Sequence, residues 1–130
     1  MDWITDQVAI GNYIDAGRLM PGEVNAVLCL KPDCCDDDST DFDILCVPLI
    51  DGRGNSLDEL DDAVEFIREI VASGEKVLVH CHAGRSRSVV VVARYLMKYE
   101  GMTSLDTLKL ISSKREVCIT SGMDKWLTQS

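Results

Sequence analysis

The sequence predicts an α/β fold: a central, mainly parallel mixed sheet of about five strands, with helices on both faces. Short apolar runs alternate with helical patterns along most of the chain, the order that builds a parallel sheet covered on both sides. The most periodic helical pattern lies between the third and fourth runs. A glycine-bearing loop follows the fourth run directly, at the carboxyl end of a strand, where ligands bind in this architecture.

The strand candidates are 8–10, 25–30 (Asn-Ala-Val-Leu-Cys-Leu), 44–50 (Ile-Leu-Cys-Val-Pro-Leu-Ile) and 76–80 (Lys-Val-Leu-Val-His), short apolar runs rich in β-branched residues. Between the last two, Leu57, Leu60, Val64, Ile67 and Val71 step by three and four and fall on one helix face. Ser56 and Glu59 form a capping box at its start, and Gly74 ends it. Val89 to Val92 would read as a strand by propensity. The segment continues through Ala93, Arg94, Tyr95, Leu96 and Met97 to Gly101, too long for one strand, and its apolar first turns suit a helix buried in the middle of a domain. Thr103 opens a further helix to about Ser113, and Ser121 a last short one to about Leu127.

With 130 residues the chain fits a single domain, 1–130, large enough to bury a core without a disulfide or metal. Apolar residues make up 46% and charged residues 27%, as in a soluble globular protein. No apolar run reaches the roughly 20 residues of a membrane span, and the N-terminus shows no secretory signal. The net charge of −9 argues against a nucleic-acid partner, because polyanion binding is driven by lysine and arginine. An anion site must therefore carry its own positive field. Cys29 and Cys46 lie in apolar runs and read as small buried side chains. Cys34 and Cys35 lie in the acidic stretch 33–43, which reads as a solvated loop and lacks the glycine and glutamate of a calcium-binding one. The thiol count favours a reducing compartment, and the expected location is cytoplasmic.

The run His80-Cys81-His82-Ala83-Gly84-Arg85-Ser86-Arg87-Ser88 carries the chemistry. Cys81 follows a buried strand and precedes a helix starting near Ser86. Unpaired N–H groups and partial positive charge at a helix N-terminus stabilise an anion, and a thiolate is one. Gly84 lets the backbone curl so that the N–H groups of 82–87 form a nest for phosphate oxygens. Arg87, six residues after Cys81, comes back opposite the sulfur, where its planar fork can hold two oxygens. Ser88 offers a hydroxyl to the thiolate. His80 either hydrogen-bonds the loop backbone or is a satisfied core histidine, and His82 is a solvent-facing lip residue.

This run resembles the HCxxGxxRS signature of the protein tyrosine phosphatase superfamily, and its Ala-Gly-x-Ser-Arg-Ser form is similar to that of small atypical dual-specificity phosphatases. Tyr95-Leu96-Met97 matches most of that family's Ala-Tyr-Leu-Met helix motif, and residues 4–11 are similar to its N-terminal edge hairpin. The resemblance implies a general acid on a mobile loop about 30 residues before the cysteine, with an asparagine a few residues on. Asp51, directly after the run 44–50, and Asn55 occupy those places. Asp58 is the rival acid, but the first turn of a helix favours its anionic form.

The expected reaction is hydrolysis of phosphate monoesters on proteins, on phosphotyrosine and phosphoserine or phosphothreonine. Cys81 attacks phosphorus, Asp51 protonates the leaving oxygen, and water then hydrolyses the cysteinyl-phosphate. No metal or other cofactor is required. A phosphoinositide phosphatase uses the same loop, and Arg85 beside Arg87 would suit a polyanionic headgroup. An RNA 5′-phosphatase is disfavoured by the acidic charge. A rhodanese-like sulfurtransferase closes its loop one residue sooner. A non-catalytic phosphate-binding module would typically lose Cys81, Arg87 or Asp51, and all three are present. Within the resembled family, the absence of a Trp-Pro-Asp loop and of the long insertions of tyrosine-only relatives implies a shallow pocket.

Overall fold

The computed structural model describes residues 1–32 and 41–128. Among them runs one five-stranded sheet: β1 (Asp2–Trp3), β2 (Val8–Gly11), β3 (Ala26–Cys29), β4 (Asp43–Cys46) and β5 (Val77–His80), in the spatial order β1-β2-β5-β3-β4. The helices are α1 (Tyr13–Gly17), α2 (Leu57–Ala72), α3 (Arg87–Tyr99) and α4 (Ser104–Ser112), followed by a 3₁₀ turn over Asp124–Leu127. β1 is antiparallel to β2, and every other pairing is parallel, which makes the sheet mixed and mainly parallel.

The central strand β5 is buried along its whole length, as its unbroken Val-Leu-Val run requires of a strand covered on both faces. Residues alternate between two cores. Val8, Ile10, Ala26, Leu28, Val77 and Val79 face the large one, under α2 and α3. Ala9, Val27 and Leu78 face a smaller one, on the side where α1 packs on β2 and β5. Helices thus lie on both faces, but unevenly.

The valine run is the helix expected of it. Val89 to Val92 are all fully buried because α3 is enclosed by α2, α4, the 3₁₀ turn and the sheet. Burial on every side outweighs the strand preference of four β-branched residues. The capping box of α2 forms, with Ser56 Oγ accepting from Glu59 N–H. Its buried stripe is Leu60, Ala63, Val64, Ile67 and Ile70. Leu57, in the first turn, is exposed and Val71 only half-buried, contrary to the five-residue stripe read from the sequence.

Three further expectations are corrected. The strand read at 44–50 stops at Cys46, because Pro48 offers no N–H to a ladder. The backbone still follows β3 for two more bonds, from Val47 N–H to the Cys29 carbonyl and from Leu49 N–H to the Leu30 carbonyl. Cys46 is exposed rather than buried, since β4 is the outermost strand among the described residues. The last helix begins at Asp124, not Ser121. Cys34, Cys35 and most of the acidic stretch 33–43 lie outside the described residues. Among the described residues no helix is long and apolar enough to cross a membrane.

Candidate active site

Register places the site. Gly11 pairs with His80, and His80 with Cys29, so β2, β5 and β3 end level and Cys81 emerges at the middle of that edge. Cys81 is only 2% exposed. Gly84 N–H donates to Cys81 Sγ at 3.2 Å, and Ser88 Oγ lies 3.3 Å from the sulfur. Against a thiolate, the serine hydroxyl can only donate.

The loop 81–86 is held from outside, by its carbonyls. Tyr13 N–H donates to the His82 carbonyl at 3.2 Å and Cys118 N–H to the Arg85 carbonyl at 2.9 Å. The Arg115 guanidinium reaches the Ala83 carbonyl at 3.5 Å. In a planar trans peptide the carbonyl and the next N–H point opposite ways. Outward carbonyls at 82, 83 and 85 therefore turn the N–H groups of Ala83, Gly84 and Ser86 inward, and the Gly84 bond to sulfur is one instance. N–H groups converging in this way suit an anion.

Gly84 takes φ +69°, and a Cβ there would sit 2.5 Å from the Gly11 carbonyl oxygen. Conformation and space both demand glycine. α3 begins directly at Arg87, with Ser86 as its N-cap residue. The Ser86 side chain does not cap the helix; its hydroxyl instead accepts from Thr120 N–H at 3.0 Å. No acidic residue lies in the first turn of α3, which leaves the helix N-terminus suited to an incoming anion.

Arg87 is buried, and its Nη1 donates to the Leu49 carbonyl at 3.3 Å. Two residues on, Asp51 is exposed. Asn55 shapes the segment between. Its Oδ1 accepts from Ile50 N–H at 2.7 Å, and its Nδ2 donates to the Ile50 carbonyl at 2.7 Å. The loop carrying Asp51 is thus pinned at both ends, by Arg87 and by Asn55.

His80 is 2% exposed, yet neither ring nitrogen makes a well-formed hydrogen bond. Burial pushes its pKa below the ordinary histidine value, which the neighbouring Cys81 backbone offsets only in part. His82 is exposed, as expected of a lip residue. Arg85 points outward and pairs with Glu116 at 3.8 Å, so its side chain stands apart from the converging N–H groups.

Sequence reasoning missed Arg115 and Tyr13. Arg115 joins three parts of the site: Nη1 donates to the Ile10 carbonyl at 2.6 Å and pairs with Asp2 at 3.3 Å, while Nη2 reaches the loop. In Lys114-Arg115-Glu116 it reads as one more surface charge, with no periodicity to set it apart. Tyr13 sits in a five-residue helix too short to be periodic.

The family follows from comparison with known proteins. A family model for the dual specificity phosphatase catalytic domain matches residues 12–129. The chain belongs to that family. Dual specificity protein phosphatase 1 of Arabidopsis thaliana is 44% identical over 78 residues, 59% of this chain and 39% of that protein. Dual specificity protein phosphatase 22 of Xenopus tropicalis is 31% identical over 127 residues, 95% of this chain and 60% of that protein. These matches span less than two thirds of either relative. The crystal structure of human DUSP28 superposes with a TM-score of 0.83 at 20% identity, covering 98% of this chain and 93% of that one. At that identity the likeness shows the dual specificity phosphatase fold.

Proposed function

We propose that the chain is a single catalytic domain, 1–130, that hydrolyses phosphate monoesters on proteins through a cysteinyl-phosphate intermediate. The observation that carries this reading is the pair of groups on Cys81 Sγ, the Gly84 N–H and the Ser88 hydroxyl, within a loop whose carbonyls are bound from outside. Cys81 supplies the electron pair that forms the S–P bond as the P–O bond of the ester breaks, and Asp51 gives its proton to the departing oxygen. Water then attacks phosphorus, loses its proton to Asp51, and the S–P electrons return to sulfur, where Ser88 stabilises the thiolate. The inward N–H groups of 83, 84 and 86 and the Arg87 fork hold the phosphoryl oxygens through both steps. No step calls for a metal or other cofactor.

The expected substrates are phosphotyrosine and phosphoserine or phosphothreonine in proteins. Net charge −9 speaks against nucleic acid as a partner. The pairing of Arg85 with Glu116 weighs against a phosphoinositide headgroup, which would have to displace the glutamate. The presence of Cys81, Arg87 and Asp51 together weighs against a non-catalytic module. A cytoplasmic location accords with this reading. Phosphopeptides, phosphoinositides and nucleotides assayed side by side, with Cys81→Ser as control, test it. Turnover of phosphopeptides that vanishes in the serine variant is expected; full turnover by Cys81→Ser would refute the mechanism.

A further inference from the structure

The segment that follows α4 grips the catalytic loop from outside at three places. Cys118 N–H donates to the Arg85 carbonyl at 2.9 Å, and Thr120 N–H to the Ser86 hydroxyl at 3.0 Å. The Arg115 guanidinium reaches the Ala83 carbonyl at 3.5 Å. The first two contacts use backbone N–H groups from this segment. Arg115 alone of the three brings a side chain and a charge.

That charge is held in place. Arg115 N–H donates to the Ile111 carbonyl in the last turn of α4 at 3.0 Å. Its Nη1 donates to the Ile10 carbonyl at 2.6 Å and pairs with Asp2 at 3.3 Å, and Nη2 is the end that meets the loop. The Arg115 side chain is only 11% exposed, against 44% for Asp2. The approach to the loop is close, since a Cβ on Gly84 would lie 2.7 Å from Nη2.

The Ala83 carbonyl and the Gly84 N–H are two ends of one planar peptide group and point opposite ways. Arg115 stands at the carbonyl end. Cys81 Sγ accepts from the N–H end at 3.2 Å. The peptide dipole therefore turns its positive end to the sulfur. A cation at the oxygen polarises the amide further, as in hydrogen-bonded chains where each bond strengthens the next by roughly 10–30%. A thiolate gains more from such a donor than a neutral thiol does.

The geometry points to Arg115 as a positioning residue that orients the Ala83–Gly84 peptide and carries its charge through that peptide to Cys81, favouring the reactive thiolate without touching substrate. This role rests on the phosphatase reading above. Arg87 acts on the phosphoryl oxygens, whereas Arg115 acts on the sulfur from outside the loop. Asp2 works against it, because its carboxylate partly neutralises the same guanidinium.

Alkylation of Cys81 by iodoacetamide from about pH 4.5 to 9 reads the thiolate without requiring turnover. Peptide mass spectrometry separates it from the exposed Cys118. Arg115→Met removes the charge and keeps an unbranched side chain. On the rising limb of the pH profile it should slow alkylation about fivefold, a fraction of what one hydrogen bond to a charged group supplies. The rates should converge at high pH, and kcat/KM for an aryl phosphate should fall by the same factor on the same limb. Arg115→Lys, which keeps the charge, should recover most of the loss. Asp2→Asn should move the limb the opposite way and raise the rate about twofold, the scale of a half-exposed ion pair.

Other charged groups stand around the loop: Arg87 on α3, His80 and His82 beside Cys81, and Asp15 on α1, which also faces Arg115. Lys31 faces His80, and Arg85 is paired with Glu116. All are common to the three variants, so a displacement between profiles belongs to Arg115 and Asp2. A brace without electrostatic effect would lose rate at every pH in Arg115→Met and in Asp2→Asn alike. Coincident profiles for wild type and Arg115→Met, a loss equal at all pH values, or no recovery in Arg115→Lys would overturn the role. So would an Asp2→Asn limb that stays in place or moves with Arg115→Met, and this arm decides alone if circular dichroism shows Arg115→Met unfolded. The expected alkylation shifts in a protein that hydrolyses no phosphate ester would overturn the phosphatase reading and leave the role of Arg115 standing.

Discussion

The Arg87 guanidinium donates to the carbonyl of Leu49 at 3.3 Å, joining the first residue of α3 to the chain that leads into Asp51. The bond uses one end of the fork. Nε is buried without a hydrogen-bond partner, which a planar guanidinium can turn toward an oxyanion. Lysine in this place would keep a charge but could not bond the Leu49 carbonyl and two phosphoryl oxygens in one plane. Arg87→Lys should lower kcat on an aryl phosphate by about 10²- to 10³-fold, the scale of losing a transition-state donor. An unchanged circular dichroism spectrum would show that the fold survives, and retention of more than a tenth of wild-type kcat would contradict the role.

Ser88 is tested by the second half of the reaction. Its hydroxyl lies 3.3 Å from Cys81 Sγ, and under the proposed mechanism it stabilises the sulfur as that atom departs from phosphorus. Hydrogen bonds to charged groups contribute about 1.5–3 kcal/mol, which corresponds to roughly 10- to 100-fold in rate. Ser88→Ala should slow breakdown of the cysteinyl-phosphate by that factor and leave its formation the faster step. Stopped-flow measurement should then show a burst of released phenol equal to the enzyme concentration. Steady-state turnover at the wild-type rate without a burst would count against the assignment.

Much of this site is legible in the sequence because its parts are local. Cys81, Gly84, Arg87 and Ser88 fall within eight consecutive residues, and a strand before them and a helix after them fix their relation. The α2 stripe and its capping box are legible for the same reason. Contacts made across the chain are not. Arg115 meets Ile10 and Ala83, Thr120 meets Ser86 and Cys118 meets Arg85, each with a backbone group on at least one side, and a backbone group carries no residue-type signal. The rings of Tyr13 and His82 stack only because β2 and β5 are neighbours in the sheet, and that adjacency appears in no single stretch of sequence.

Asp51 is exposed, at the end of a segment that Asn55 and Arg87 hold in place. A general acid matters in proportion to how poorly the leaving group departs by itself. Asp51→Asn should therefore slow a phosphothreonine peptide by about 10²-fold or more and an activated nitrophenyl ester far less. Plotting log kcat against leaving-group pKa should give a steeper slope for the variant. Parallel lines for the two proteins would exclude Asp51 as the proton donor and return attention to Asp58.

His80 should make the fold sensitive to mild acid. Burial holds its pKa below the ordinary value of 6.5, so the folded protein keeps the imidazole neutral where the unfolded chain has begun to protonate it. Between the folded pKa and 6.5 the unfolded state binds more protons, and stability rises with pH. Its contribution is fully present above 6.5 and is lost as pH falls through the folded value. Glu65 is also depressed, through its bonds with Lys98 and Tyr99, but from 4.5, so its effect lies at lower pH. The chain has only one other histidine, His82, and it is exposed. Urea denaturation at about pH 5.5 and 7.5 should show lower stability at the acid value for the wild type and for His82→Asn. His80→Asn should flatten the difference, since the buried group that must take up the proton is gone. An undiminished pH slope in His80→Asn would assign the acid sensitivity elsewhere.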